Sequence, residues 1–148
     1  MTIEKSSPYF DLQELVCPHV FKTYGTFAWN FLDDKIIDLI NTIRERIGKP
    51  IHVNNWNTGG KFDERGFRCI QCDIVRNMIE ANQLYVSAHM TGKGIDFDVE
   101  GLTAEETRIW LKANQRWWYH YFRLESAVTW VHLDLYNNTD KKIIEFNG

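Results

Sequence analysis

Two side chains of the kind that bind metal ions stand close together in the segment SAHMTGKGID, residues 87–96. His89 and Asp96 are seven residues apart, and two glycines, Gly92 and Gly94, lie between them. Imidazole nitrogens and carboxylate oxygens are both ligands of zinc. Glycines let a loop fold back tightly because they tolerate backbone conformations that other residues avoid. The segment therefore predicts a loop that returns His89 towards Asp96, with a metal ion between the two side chains.

A second histidine, His132 in WVHLDLY, completes such a site. Successive residues of a strand point to opposite faces of its sheet. In the predicted strands GIDFDV and WVHLDLY the aliphatic residues and Phe97 share one face, which leaves Asp96 and His132 on the opposite, polar face. A catalytic zinc ion is held by three protein ligands and keeps one position for water. His89, Asp96 and His132 are the ligands that we expect, and Asp134 either orients His132 or is an exposed strand residue.

A third predicted strand, YFRLE, places Glu125 beside these ligands. If residues 126–129 form a four-residue hairpin loop, which is a common length, Glu125 pairs with Trp130 and Arg123 pairs with His132. Glu125 is then a diagonal neighbour of His132, about 7–8 Å away at the backbone, within reach of a long side chain. A Lewis acid, an activated water and a general base are the minimum for metal-assisted hydrolysis of an amide. We therefore expect Glu125 to act as the general base.

The elements that position these residues follow from hydrophobic periodicity. Apolar residues at helical spacing predict a helix that starts near Leu32 and ends at residues 48–50, GKP. A capping box at Thr103 and Glu106 predicts the start of another helix, and a shorter helix is expected around residues 74–82. Short strands are predicted at IHVNNW, GIDFDV, YFRLE, WVHLDLY and KIIEF. Helices first and mostly strands later favour an α+β fold with a small central antiparallel sheet.

Length and composition favour one globular domain, residues 1–148, in which 44% of the residues are hydrophobic. The formal charge of −3 gives no electrostatic reason to expect nucleic acid as a partner. No apolar run approaches the roughly 20 residues that span a bilayer. The start of the chain has no apolar segment behind a basic one, as a secretory signal would have. We expect synthesis in the cytoplasm, no membrane span and a monomer.

The three cysteines are an odd number, which does not suit the disulfide framework of a secreted domain. Cys69 and Cys72 form a C-x-x-C pair, and Cys17 with His19 forms a C-x-H pair. Four such residues have the types needed for a structural zinc site. However, C-x-x-C alone is a common pattern, and C-x-H is not typical of zinc-binding turns. Buried free thiols are therefore the expectation, and the role of the cysteines is left open.

Two segments resemble motifs of the zinc metallopeptidases that include the D-Ala-D-Ala carboxypeptidases and the Hedgehog domains. SAHMTGKGID resembles the S-x-H-x-x-G-x-A-x-D motif of this group, with Gly94 in place of the alanine. WVHLDL resembles the second motif of the group, W-x-H-x-D. The resemblance covers residues 51–135, and the first segment looks most like cell-wall peptidases of bacteria and their phages. Two linked motifs with all three ligand positions filled are a fairly specific signal.

The resemblance implies zinc bound by His89, Asp96 and His132, and cleavage of peptide bonds in peptidoglycan stem peptides by a carboxypeptidase or an endopeptidase. It also implies a central antiparallel sheet with helices packed on one side. Many members of this group carry a catalytic acid three residues before the last histidine, where this chain has Thr129. Glu125, seven residues before it, is close to where Hedgehog-type members place a glutamate.

The same resemblance implies an arginine that binds a carboxylate of the substrate, since a guanidinium group contacts both carboxylate oxygens at once. The usual position, just after the aromatic residue of NNW, holds Asn57 in this chain. Arg68 or Arg65, in the loop that follows, is expected to take this role, with Arg68 preferred. Trp130 is expected to shape the cleft.

Two other classes of function stay open. A non-catalytic module would use the same cleft, with or without zinc, to bind cell-wall peptides or a protein, and Thr129 and Asn57 favour this alternative. A redox or structural zinc protein centred on the cysteines would instead lose its metal when Cys69 is replaced. An enzyme of the cell wall without an export signal would need a role in phage lysis or in the virion, or another export route.

Overall fold

The computed structural model describes residues 5–136 and 141–148; the remaining residues of the predicted domain 1–148 lie outside this part. Its helices are α1 (Leu12–Leu15), α2 (Pro18–Tyr24), α3 (Asp34–Ile47), α4 (Asp73–Glu80) and α5 (Ala104–Ala113). Its strands are β1 (Ile51–His52), β2 (Gly94–Val99), β3 (Phe122–Ser126), β4 (Val131–Asp134) and β5 (Ile143–Asn147). Short 3₁₀ turns cover Gly25–Phe31, Trp56–Thr58, Ala88–Thr91 and Gln115–Trp117. The fold is of the α+β class, as predicted, and no helix of the described residues is both long and apolar enough to cross a membrane.

The end of α3 and the start of α5 follow the predicted signals. Asp33 caps α3, because its side chain accepts a hydrogen bond from the backbone of Lys35 at 2.9 Å. Gly48 ends α3 with a φ of 65°, a left-handed conformation that glycine adopts readily. At the start of α5 the side chains of Thr103 and Glu106 each accept a hydrogen bond from the other's backbone, at 3.1 and 2.8 Å. This reciprocal pair is the capping box expected from the sequence.

The strands form one sheet within the described residues, in the order β1-β2-β4-β3-β5. The pairs β1–β2, β2–β4 and β3–β4 are antiparallel, as predicted. The pair β3–β5 is parallel, so the expectation of a wholly antiparallel sheet is wrong at this edge. Ile143 pairs with Phe122, and both strands then run in the same direction.

The hairpin between β3 and β4 turns one residue later than predicted. Its loop consists of residues 127–130, and Arg123 pairs with Asp134 rather than with His132. When this pairing is continued along β3 from Arg123 to Glu125, Glu125 lies directly opposite His132. Because side chains alternate along a strand, the change leaves each residue on its predicted face.

Arg108 of α5 accounts for the position of this loop. The side chain is 3% exposed, and its guanidinium donates hydrogen bonds to three carbonyl oxygens at 3.1 to 3.4 Å. The acceptors are Glu125, Val128 and Trp130. A prediction from the sequences of the two strands alone does not include these hydrogen bonds from a helix, so it places the turn at different residues.

One face of the sheet packs into the hydrophobic core. Ile95, Phe97 and Val99 of β2 are at most 3% exposed, as their alternation predicted. Their partners in the core include the apolar residues of two helices, Ile36, Leu39, Ile40 and Ile43 of α3 and Leu111 of α5. The opposite, polar face carries the residues to which the sequence assigns chemistry.

The turn at Gly92 brings His89 back towards Asp96. Gly92 follows the 3₁₀ turn with a φ of 71°, which L side chains rarely adopt. An ideal Cβ built on Gly92 would lie 1.9 Å from the carbonyl oxygen of Phe31. A side chain is therefore excluded at this position both by backbone conformation and by direct contact.

Gly92→Ala is expected to lower the free energy of unfolding more than Gly101→Ala does. Gly101 has a φ of 80° and open space around it, so alanine there costs only the about 1–2 kcal/mol of a left-handed conformation. At Gly92 the contact with Phe31 adds about 1–3 kcal/mol. Urea unfolding followed by tryptophan fluorescence measures both losses. Equal losses in the two variants would contradict the close approach of Phe31.

Candidate metal site

The three predicted metal ligands meet on the polar face of the sheet. His89 comes from the 3₁₀ turn Ala88–Thr91, Asp96 from β2 and His132 from β4. Asp96 and His132 are paired directly across the two strands. One ligand atom of each residue lies within 4.8 Å of the others, so the group could hold a metal ion. We call these three residues the metal triad.

The spacing of the ligand atoms suits a small divalent ion. Two ligands bound at about 2.0–2.2 Å to a tetrahedral zinc ion are about 3.3 Å from each other. His89 Nε2 and Asp96 Oδ2 are 3.3 Å apart. His132 Nδ1 and Asp96 Oδ1 are closer, at 2.7 Å, because they share a hydrogen bond. All three residues are at most 9% exposed, so protein contacts rather than solvent hold their side chains in place.

Each histidine is oriented through its other ring nitrogen. His89 Nδ1 lies 2.9 Å from the carbonyl oxygen of Gly66. A carbonyl only accepts hydrogen bonds, so Nδ1 carries a proton and Nε2 is left for a metal. His132 Nε2 donates to Asp134 Oδ2 at 2.8 Å, which directs Nδ1 towards Asp96. Partners of this kind commonly fix the tautomer of a metal-binding histidine.

Asp134 is held in turn by Arg123. The guanidinium donates to both carboxylate oxygens, with Nε to Oδ1 at 2.8 Å and Nη2 to Oδ2 at 2.9 Å. Asp134 is 1% exposed, so it is not the solvent-facing strand residue that the sequence left open. Its contacts support the other alternative, in which it orients His132.

The charges of this group stabilise one another. Burial alone would lower the pKa of His132, but hydrogen bonds to Asp134 and Asp96 outweigh it and raise the pKa to about 9. Burial would raise the pKa of Asp96, yet the electrostatic interaction with His89 and the hydrogen bond from His132 hold it well below its usual range. The pKa of Asp134 is lowered against its burial by hydrogen bonds from His132 and Arg123. The site therefore combines a positive ring with ionised carboxylates.

A cleft of about 270 Å³ borders the metal triad. Asp96 lines it, together with Arg65, Arg68 and Trp130, the residues that the sequence assigned to substrate binding. The rest of the lining consists of Lys61, Phe62, Asp63, Glu64 and Ile74. A molecule in this cleft would therefore contact a metal ligand and both candidate arginines.

The two arginines have different surroundings. Arg68, the one preferred from the sequence, is 8% exposed and donates to Asp96 Oδ2 at 3.2 Å. Its guanidinium thus compensates the charge of the buried carboxylate. Arg65 donates to Asp98 Oδ2 at 2.7 Å, and the side chain of Asp98 is 43% exposed. The Arg65–Asp98 pair lies nearer to solvent than the Arg68–Asp96 pair.

Glu125, the predicted general base, lies on the polar face but its carboxylate is directed towards β5. An ideal Cβ built on Gly148 would lie 1.9 Å from Glu125 Oε1, so the carboxylate packs against that residue. The ring of Phe146 meets the ring of His132 at 81°, with centroids 5.9 Å apart. In this conformation the triad has Phe146, and not the Glu125 carboxylate, beside it.

Three residues contribute to the site without having been singled out. Arg123 lies on the polar face of a predicted strand, and pairing it with Asp134 required the correct register. Gly66 contributes its backbone carbonyl, and because every residue has one, the sequence does not mark this acceptor. Arg108 lies on an amphipathic helix, where a charged residue is expected to face solvent.

A second group of candidate ligands involves the cysteines. Sγ of Cys69 and of Cys72 lie 3.6 and 3.8 Å from His19 Nδ1, and Cys17 joins them within 4.8 Å. All three thiols are free, as expected, but they are not isolated from one another. A hydrogen bond from Cys72 lowers the pKa of Cys17 to about 5 and raises that of Cys72, because one proton is held between the two sulfurs. This cysteine cluster, residues 17, 19, 69 and 72, could also hold a metal ion.

Comparison of the chain with family models, with curated proteins and with solved structures finds no match. The resemblance to zinc metallopeptidases is therefore a prediction from the two sequence motifs, which none of these comparisons tests. The geometry of the metal triad supports a metal site independently of that relation.

His132 is expected to titrate near pH 9 in the metal-free protein. The positive ring stabilises the fold fully below 6.5, the ordinary histidine pKa, and this contribution is lost as the pH rises through about 9. Asp134→Asn removes one acceptor and should lower the midpoint of the His132 titration. Asp98→Asn is the control, because Asp98 lies on the same face but is bonded to Arg65, and it should leave this midpoint unchanged. Ring proton and carbon NMR signals followed through the alkaline range measure the midpoint. A value at or below 6.5 in the wild-type protein would contradict the arrangement.

Proposed function

We propose that the chain is a zinc-dependent peptidase that hydrolyses peptide bonds in peptidoglycan stem peptides. The observation that carries the proposal is the convergence of His89, Asp96 and His132 beside a cleft lined by Arg65 and Trp130. The two metallopeptidase-like motifs select the same three ligands from the sequence. We also propose that the chain has the fold of this group. The resemblance to D-Ala-D-Ala carboxypeptidases and Hedgehog domains implies helices packed on the apolar face of a small sheet.

Zinc fits the donor set of the metal triad. Two imidazole nitrogens and one carboxylate suit zinc, whereas magnesium and calcium prefer sites built from oxygen atoms. Three protein ligands leave one position open, which is the arrangement of a catalytic rather than a structural zinc site. When bound, zinc supplies a Lewis acid that polarises a carbonyl group and lowers the pKa of water.

The neighbours of the triad prepare it for a cation. The Gly66 carbonyl and the Asp134 carboxylate hold the outer ring nitrogens, so that His89 Nε2 and His132 Nδ1 both face Asp96. A metal ion and a proton compete for His132 Nδ1, because only the neutral nitrogen donates its electron pair to a metal. Metal affinity should therefore rise with pH towards the pKa of His132.

Arg65 is better placed than Arg68 to bind a carboxylate of the substrate. Arg68 is engaged with Asp96, and moving it would leave a buried carboxylate with one partner fewer. Arg65 is bonded to Asp98, a half-exposed carboxylate that a substrate carboxylate of the same charge can replace. Trp130 lines the same cleft and offers an apolar surface to side chains of the stem peptide.

Glu125 is the general base in this proposal. Its position opposite His132 in the register of β3 and β4 means that rotation of its side chain brings the carboxylate from Gly148 towards the triad. Side-chain rotations of this kind take place in nanoseconds or less, far faster than catalytic turnover. Once there, the carboxylate can take a proton from water and pass it to the leaving amine.

A non-catalytic module that binds cell-wall peptides is the second candidate function. The orientation of Glu125 favours it, because Oε1 lies against Gly148 and not at the metal triad. Thr129, at the position where many of the similar metallopeptidases carry their acid, cannot act as a base. This candidate predicts tight binding of muropeptides with no product formed.

Glu125→Gln is expected to lower kcat for peptidoglycan hydrolysis by about 10²–10⁴-fold while zinc content stays unchanged. Glutamine keeps the size of the side chain but does not accept the proton. Glu145→Gln is the matched control, since Glu145 is an exposed residue of β5 bonded to Lys112 at 3.0 Å, and it should retain full activity. Mass spectrometry of digested peptidoglycan measures the rate and identifies the bond that is cut.

The outcomes separate the two candidate functions. Equal activity of wild-type protein and Glu125→Gln would remove Glu125 from the mechanism. Tight muropeptide binding by zinc-containing wild-type protein, without products, would favour the binding module. Hydrolysis that persists after His89→Ala has removed the metal would contradict a zinc-dependent reaction.

A further inference from the structure

The cysteine cluster takes no part in the proposed hydrolysis, and its four residues come from two separate segments. Cys17 and His19 lie at the start of α2, while Cys69 and Cys72 lie just before α4. Cys69 and His19 are 50 residues apart in the chain. Cys17 and Cys72 are fully or almost fully buried, and the other two are partly buried. The fold therefore brings three thiols and one imidazole together below the surface.

The distances within the cluster match a tetrahedral zinc ion. With a Zn–S distance of about 2.3 Å and a Zn–N distance of about 2.0–2.1 Å, a sulfur and a nitrogen ligand are about 3.6 Å from each other. The two measured separations from His19 Nδ1 are 3.6 Å to Cys69 and 3.8 Å to Cys72. A neutral imidazole nitrogen accepts a hydrogen bond from only one thiol, so hydrogen bonding explains one of these contacts and not both.

The backbone between Cys69 and Cys72 forms a turn suited to two thiolate ligands. The N–H of Cys72 donates to the carbonyl oxygen of Cys69 at 3.1 Å, which places both cysteines on the same side. The N–H of Gln71 donates to Cys69 Sγ at 3.4 Å. A hydrogen bond from a backbone N–H to sulfur stabilises the deprotonated form that a metal requires.

We propose that Cys17, His19, Cys69 and Cys72 bind a structural zinc ion. Four protein ligands leave no position for water or substrate, and this separates structural zinc sites from catalytic ones. Soft thiolate ligands favour zinc over magnesium, calcium and manganese, which bind to oxygen. The site therefore differs from the metal triad in both ligand type and role.

The zinc ion would fasten two segments that already run side by side. The N–H of Cys17 donates to the carbonyl oxygen of Phe67 at 3.1 Å, and the N–H of Phe67 donates to the carbonyl oxygen of Leu15 at 2.9 Å. An ideal Cβ on Gly66 would lie 2.1 Å from the same Leu15 oxygen, so the two backbones are in direct contact. A zinc ion bound by both segments would crosslink them next to these backbone hydrogen bonds and would keep the two segments from separating.

The fastened segment, residues 66–72, also orients the metal triad. The Gly66 carbonyl accepts the hydrogen bond of His89, and Arg68 donates to Asp96. A structural zinc ion at one end of this segment would hold both contacts in place without touching substrate. The cysteine cluster thus supports the catalytic site from outside it.

Metal content tests this proposal and separates it from the proposed hydrolase. Wild-type protein purified under reducing conditions without chelators is expected to contain two zinc ions per chain, measured by mass spectrometry of the metal. Cys69→Ser and His132→Ala should each contain one. His52→Asn, which changes an exposed histidine outside both groups, is the matched control and should contain two.

The pattern of metal loss gives distinct outcomes for the two sites. If Cys69→Ser keeps all the zinc of the wild-type protein, the structural site is overturned. If the wild-type protein contains one zinc ion that His132→Ala keeps and Cys69→Ser loses, the structural site is supported and the proposed hydrolase is contradicted.

Cobalt substitution of the wild-type protein gives a readout that does not depend on the folding of a variant. Cobalt(II) bound by three thiolates gives strong sulfur-to-metal charge-transfer absorption in the near ultraviolet, which a site of two histidines and one aspartate does not give. Addition of cobalt(II) to metal-free protein is expected to produce this absorption. Its absence would overturn the proposal, as would a disulfide between two of the three cysteines in protein kept under reducing conditions.

Discussion

The site depends on one buried carboxylate, that of Asp96. The residue is 6% exposed on an interior strand of the sheet, where an unpaired charge would cost several kcal/mol. His132, Arg68 and His89 offset this cost at 2.7, 3.2 and 3.3 Å and keep the carboxylate ionised. Groups whose pKa is shifted by burial together with specific charges are found most often at functional sites. The histidine nitrogen atoms beside this carboxylate are close enough to it that the group could hold a cation.

The scaffold holds this carboxylate and its partners from several directions. Asp96 and His132 lie on adjacent strands, which position side chains more rigidly than loops do. The close approach of Gly92 to Phe31 fixes the turn that carries His89. Residues 66–72 contribute two contacts to side chains of the triad and end at the cysteine cluster. The proposed structural metal ion would thus make the geometry of the metal triad depend on a crosslink between two other segments of the chain.

Signals that are local in the chain were enough to predict the metal triad. Glycine spacing near His89 and strict alternation in β2 and β4 determine which side chains share a face, and neither depends on the rest of the fold. The register of the hairpin and the direction of β5 could not be predicted in this way. They depend on Arg108, a buried helical residue that its own segment marks as exposed, and on the path of the chain after β4. The sequence left open the role of the four cysteine-cluster residues for a similar reason, since the two halves of the cluster meet only when α2 packs against the loop before α4.

Anomalous X-ray diffraction on both sides of the zinc absorption edge tests the central claim most directly, with crystals of protein purified without added metal or chelator. The expected result is an anomalous peak bounded by His89 Nε2, His132 Nδ1 and the carboxylate of Asp96. The contradicting result is the absence of this peak with Asp96 still bonded directly to His132, whatever density lies at the cysteine cluster.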